Sequence, residues 1–114
     1  MSQTNLTIDP QATKFRAEII GKLDEHIALL TEMHDRCKGQ ESRARFSNKV
    51  VGVQAVKEKV QEKLNRYNEF APIDLLAGSV WSASFFTAER FTDEYSAQRS
   101  GIGEANYIIS EYCH

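Results

Sequence analysis

Apolar residues recur along the first two-thirds of this chain at alternating three- and four-residue steps, the period of one face of an α-helix. Ile20, Leu23, Ile27, Leu30, His34 and Cys37 form a first stripe, flanked by Phe15, Ile19 and Met33. Asp9-Pro10 supplies its start, because an aspartate caps free backbone N–H groups and a proline is tolerated at the first helical position. Gly39 supplies its end, as a residue able to adopt positive φ. A second stripe, Phe46, Val50, Val53, Lys57, Val60, Leu64 and Tyr67, follows Ser42, whose hydroxyl can cap it. Val50-Val51-Gly52-Val53 also fits a strand, but the helical period continues on both sides of it. The pattern predicts long helices over residues 9–38 and 42–69, after a flexible arm at 1–8.

A short connection at Gly39 predicts an antiparallel helical hairpin, in which facing residues have numbers summing to about 81. Gly21 then faces Val60, Gly52 faces Leu29 and Leu30, and Lys57 lies near Asp24 and Glu25. Glu18 with Lys22, Glu32 with Arg36 and Glu62 with Arg66 have the four-residue spacing of helical ion pairs. The expected hairpin packing residues, or dimer packing residues, are Ile20, Leu23, Ile27, Leu30, Val53, Val60 and Leu64. A helix over 10–38 is about 43 Å long, against a diameter of roughly 34 Å for a compact chain of this length, so the hairpin should protrude. Ile19, Leu29, Val51 and Val56 fall outside the main stripes and need cover from the C-terminal segment, a second copy, or both. A two-fold homodimer is the expected assembly.

After residue 70 the chain changes character. All seven lysines lie at or before Lys63, whereas nine of the eleven aromatic residues lie at or after Tyr67. Pro72 and Gly78 mark residues 71–79 as a connection with one helical turn at 73–77. Trp81, Phe85, Ala88, Phe91 and Tyr95 then recur at helical steps, predicting a helix that ends at Gly101; a strand over 80–86 is the competing reading. Gly101-Ile102-Gly103 breaks the pattern, and residues 104–112 form a last short helix with Ala105, Ile108, Ile109 and Tyr112 inward. The expected fold is all-α: a long antiparallel helical hairpin plus shorter aromatic-rich C-terminal helices over 79–114, in a homodimeric helical bundle that forms a single domain over 9–114.

The formal charge is −2 over 114 residues, with 26% charged side chains, which indicates neither disorder nor a polycation. Residues 39–70 carry seven basic against four acidic side chains, and residues 71–114 two against six. Opposite-signed segments of this kind can neutralise one another within the fold or between subunits. The first residues have no basic and apolar signal pattern, and no stretch approaches the roughly 18 apolar residues of a membrane span, so a cytoplasmic location without membrane contact is expected. Two cysteines, Cys37 and Cys113, make no disulfide framework.

No motif fixes an activity. His26, His34, Cys37 and Cys113-His114 have no familiar zinc spacing. Asp93-Glu94, Glu104 and Glu111 read as a solvated acidic face. No serine sits in a G-x-S-x-G elbow, and Gly101-Ile102-Gly103 lacks the third glycine of a dinucleotide loop. Neither a catalytic residue nor a metal or other cofactor is expected. The expected function is that of a small non-catalytic regulator acting by protein–protein binding, such as an inhibitor or antiactivator occluding a larger protein. Its contact residues are Trp81, Phe85, Phe86, Phe91 and Tyr95, since aromatics concentrate in interface centres. The alternative is a nucleic-acid-associated dimeric regulator that presents Arg43, Arg45 and Lys49 from the hairpin tip, where the helix N-terminus favours phosphate.

Overall fold

The computed structural model describes the backbone of residues 7–89 and 96–113, and the side chains of residues 7–83 and 96–113. The described residues form four α-helices: α1 (Pro10–Arg36), α2 (Gln40–Asn65), α3 (Ile73–Glu89) and α4 (Ala97–Tyr112). Both stretches that also fit a strand, residues 50–53 and 80–86, are helical.

Local chemistry sets the helix ends. Asp9 uses both carboxylate oxygens, one accepting from Gln11 N at 3.0 Å to cap α1 and the other from Ile73 N at 3.0 Å to cap α3. Gly39 does not end α1 through positive φ. It has φ −86° and is the N-cap of α2, while α1 closes on the extended residue Cys37. Ser42 therefore lies inside α2, and α2 stops at Asn65, four residues before the expected end. Its last turn and the residues just after it are held by Arg16, whose guanidinium donates to Leu64 O at 3.0 Å, Tyr67 O at 3.2 Å and Asn68 O at 2.8 Å. A cation here also suits the negative end of the helix dipole.

The C-terminal third differs most from its sequence pattern. Residues 73–79 begin a continuous helix that runs through Gly78, because burying Leu76, Val80 and Ala83 outweighs the roughly 1 kcal/mol that a helical glycine costs. Likewise Gly101 and Gly103 do not break the chain: α4 starts at the Ser96 cap, where Ser96 Oγ accepts from Arg99 N at 3.0 Å, and passes through both.

Helix α2 packs on all three other helices, with its closest approach at α4. The core combines Ile19, Leu23 and Leu30 of α1, Val53, Val56, Val60 and Leu64 of α2, Leu76 and Val80 of α3, and Ile102, Ala105 and Ile109 of α4. Two of the four residues that needed cover, Ile19 and Val56, are fully buried; Leu29 and Val51 remain exposed. None of residues 31–51 is buried, so the far ends of α1 and α2 extend beyond the core.

The glycines do not face the residues expected of them. Gly21 has open space where a Cβ would point, and Gly52 meets α4 instead of Leu29 and Leu30. A Cβ on Gly52 would collide with the carbonyl of Gln98 and stand 3.0 Å from Ile102 N. A Cβ on Gly101 would collide with the carbonyl of Lys49 and stand 2.9 Å from its Cα. The two glycines thus let the α2 and α4 backbones touch. Ion pairs follow the predicted spacing at Glu32–Arg36 (2.6 Å) and Glu62–Arg66 (2.8 Å), but Glu18 pairs with Lys14 and Lys22 with Glu25. Lys57 pairs with Asp24.

Candidate functional site

Trp81 lies midway along α3. Its neighbours Val80 and Ala83 are fully buried and fix the inner side of the helix, leaving Trp81 38% exposed. Leu75, also on α3, is exposed as well. Phe85 and Phe86 belong to α3, but their side chains lie outside the described residues, as do Phe91 and Tyr95 altogether. Of the five predicted protein contacts, Trp81 is the one placed in full, as an amphipathic ring more than half covered.

The three predicted phosphate contacts do not act together. Arg43 and Arg45 are exposed at the start of α2. Lys49 instead turns toward α4, where its ammonium donates to Glu104 Oε2 at 2.9 Å and sits 5.7 Å from the centre of the Phe46 ring. The second Glu104 oxygen, Oε1, lies 2.6 Å from His26 Nε2. With the carboxylate ionised, Nε2–H is the donor. Glu104 thereby joins α4 to both α1 and α2, one turn beyond the contact of Gly101 with Lys49.

Burial opposes ionisation of Glu104, but hydrogen bonds and charge from Lys49 and His26 overcome it and hold the carboxyl below its usual 4.5. A depressed folded-state value means that Glu104 stabilises the fold above pH 4.5 and loses that contribution as pH falls through the lower value. Glu104→Gln is expected to flatten this part of the acid limb of the stability curve, measured by thermal melting from about pH 3 to 7. An unchanged acid limb would show that the bridge contributes nothing.

His34 contacts Asp35 at 3.0 Å, and Cys37 forms the C-cap of α1. Burial pushes the Cys113 thiol up to about 11, which keeps it protonated and a poor nucleophile at neutral pH. Among the described residues, no three His, Cys, Asp or Glu side chains are grouped to hold a metal, and no helix is long and apolar enough to cross a membrane. Leu23, Leu30, Val53, Val60 and Leu64 are buried within the single chain, with Ile20 and Ile27 partly buried beside them.

Open grooves occur among the described residues. One, of about 250 Å³, is lined by Lys22, Glu25, His26, Leu29, Ile108 and Glu111, where α1 passes α4. Another, of about 190 Å³, lies between the far ends of α1 and α2 and is lined by Thr31, His34, Ser47 and Val50. Neither groove is visible as a sequence motif, because each needs two helices to form. Comparison with protein-family models, curated proteins and solved structures finds no match to this chain.

Proposed function

We propose that this chain is a small non-catalytic regulatory protein that works by protein–protein binding, as an inhibitor or antiactivator occluding a larger protein in the cytoplasm. The observation that carries the reading is Trp81, 38% exposed between fully buried neighbours on α3. A large amphipathic ring on a rigid helix presents contact area at little entropic cost, which is why tryptophan dominates interface hot spots. In this reading α1 and α2 form a long antiparallel hairpin as the rigid support. The contacts of Lys57 with Asp24 and of Arg16 with Leu64 favour that arrangement. Two copies pair through α1, where Leu29 and Met33, four residues apart on one face, are 49% and 41% exposed.

Trp81→Ala is expected to leave the protein folded at a cost of about 2 kcal/mol, because more than half of the ring is covered. The same change should weaken partner binding by about thirtyfold or more, as for a hot spot worth about 2 kcal/mol. Loss of folding in this variant, measured by circular dichroism and melting, would move Trp81 to the core and remove the main support. Light scattering that finds a monomer across the micromolar range would exclude the homodimer.

The second reading, a nucleic-acid-associated dimer, draws on exposed Arg43 and Arg45 alone, since Lys49 is engaged by Glu104. Salt-sensitive DNA or RNA binding that is lost in the Arg43→Glu, Arg45→Glu variant would put it first.

A further inference from the structure

We infer that the outer face of α3 receives an amphipathic helix of the partner protein, one that sets a large apolar side chain over Gly78 and carries lysine or arginine beside its apolar face. The inference rests on the reading of Trp81 as a protein contact and names the kind of partner that this contact takes. Leu76, Val80 and Ala83 are fully buried and turn the opposite face of α3 outward. Gly78 lies at the middle of that outer face, exposed, with no described atom within 4 Å of the place where a Cβ would stand. Leu75 and Trp81, three residues before and after it, stand about 60° to either side and about one turn away along the axis. They are 46% and 38% exposed. The glycine is thus a notch between two large apolar walls, the kind of hole that a side chain from a second helix fills. Ser79 Oγ lies 2.7 Å from Tyr67 Oη, which ties α3 to the residues after α2 and holds the notch in place.

Composition chooses the occupant. Residues 75–88 carry no charged side chain, in a chain of which 26% is charged, so this face rewards apolar contact. Residues 67–89 hold three acids, Glu69, Asp74 and Glu89, and no lysine, arginine or histidine. Glu69 and Asp74 are exposed and make no ion pair among the described residues. Asp9, which caps α3, adds another anion at the same end. That end stays negative after Arg16 of α1, engaged on the carbonyls of Leu64, Tyr67 and Asn68, and the α3 dipole, equivalent to about half a charge, are counted. Nucleic acid and an anionic membrane surface meet no cation on this face and are repelled. A second copy that paired α3 with α3 would bring the same acids again and still no cation. A helix with an apolar face and basic borders suits both the notch and the charge around it.

The test titrates the full chain with a fluorescent stapled helical peptide that carries leucines on one face and lysines beside them. The same peptide with serine for leucine, the same peptide with glutamate for lysine, duplex DNA and phosphatidylserine vesicles are titrated alongside. The lysine-bordered peptide should bind saturably; serine exchange should abolish binding, and glutamate exchange should weaken it about tenfold. Gly78→Leu, which fills the notch from an exposed position, should abolish binding, as should Leu75→Lys, which puts a cation into the strip. Gly78→Ala should raise the melting temperature yet weaken the peptide about tenfold, a pair of effects that a merely structural glycine would not give. Melting curves establish that the variants are folded. No saturable binding by about 1 mM peptide, or binding that Gly78→Leu and Leu75→Lys leave unchanged, overturns the inference. Equal binding of the serine or glutamate peptide, or tighter binding of DNA or vesicles, overturns it too. A Gly78→Leu variant that turns a dimer into a monomer gives the face to a second copy and overturns it as well. The notch and the Trp81 contact fail separately. Capture of a larger protein from lysate that Trp81→Ala abolishes and Gly78→Leu leaves intact keeps the contact and removes the notch. Capture that survives Trp81→Ala removes the contact, and the peptide titration still decides the notch.

Discussion

Replacing Gly101 by alanine is expected to destabilise the protein by about 3 kcal/mol or more, the upper part of the range for overpacking a tight contact. A single methyl group would normally stabilise a helix at a glycine position by up to about 1 kcal/mol. Here it has nowhere to go, because the atoms that it meets are the backbone carbonyl and Cα of Lys49, which cannot rotate aside as a side chain would. Relief requires α4 to move off α2, which also strains the bonds of Glu104 to Lys49 and His26. Gly52→Ala should behave alike from the other side, against Gln98 and Ile102. Gly21→Ala and Gly103→Ala are the internal controls: with nothing within 4 Å of the new methyl group, each should gain up to about 1 kcal/mol. Urea denaturation of the four variants measures the contrast. Equal effects at all four positions would mean that α2 and α4 do not touch where their glycines lie.

The second large effect is expected at Leu76. Its side chain is fully buried, and Leu76→Ala should cost about 2–5 kcal/mol through lost burial and the cavity left behind. The result also bears on what α3 is for. Were residues 71–79 a mere connection, the substitution would be close to neutral. As the start of a helix that puts Leu76, Val80 and Ala83 into the core, it should lower the unfolding midpoint in urea with little change in slope. A cost under about 0.5 kcal/mol would place α3 outside the cooperative unit.

These two sites also mark the limit of what the sequence conveys. The stripes from Phe15 to Leu30 and from Val53 to Leu64 read directly as helices because the helical period continues through them, with the Asp9 cap at the start of the first. Gly78 points the opposite way in α3 and tertiary burial overrides it, while Pro72 lies just ahead of the helix and its carbonyl accepts from the first turn. Gly101 and Gly103 resemble a break for the same reason: a glycine that permits close helix packing is spelled like a glycine that ends a helix. For Gly101 the difference lies in a contact with Lys49, far away in the chain. Glu104 follows the same pattern. It reads as one more acid on a solvated face until α4 brings it to His26, 78 residues earlier. Exposure of Trp81 is not legible either, since helical spacing places an aromatic on a face without saying whether that face is covered. Arg43 and Arg45 stay where a basic tip predicts them, whereas Lys49 is drawn away by a carboxylate that the local sequence does not reveal.

If this protein offers an exposed helical surface rather than a reaction, its partner should be recoverable and should depend on Trp81. The decisive measurement is affinity capture of the full chain from native lysate, with and without nuclease, with the mass of the recovered complex determined for the parent and for Trp81→Ala. A defined complex with a larger protein is expected, one that survives nuclease and is lost with Trp81→Ala while the variant stays folded. A complex that disappears on nuclease treatment, or one that Trp81→Ala leaves intact, would contradict the proposed mode of action.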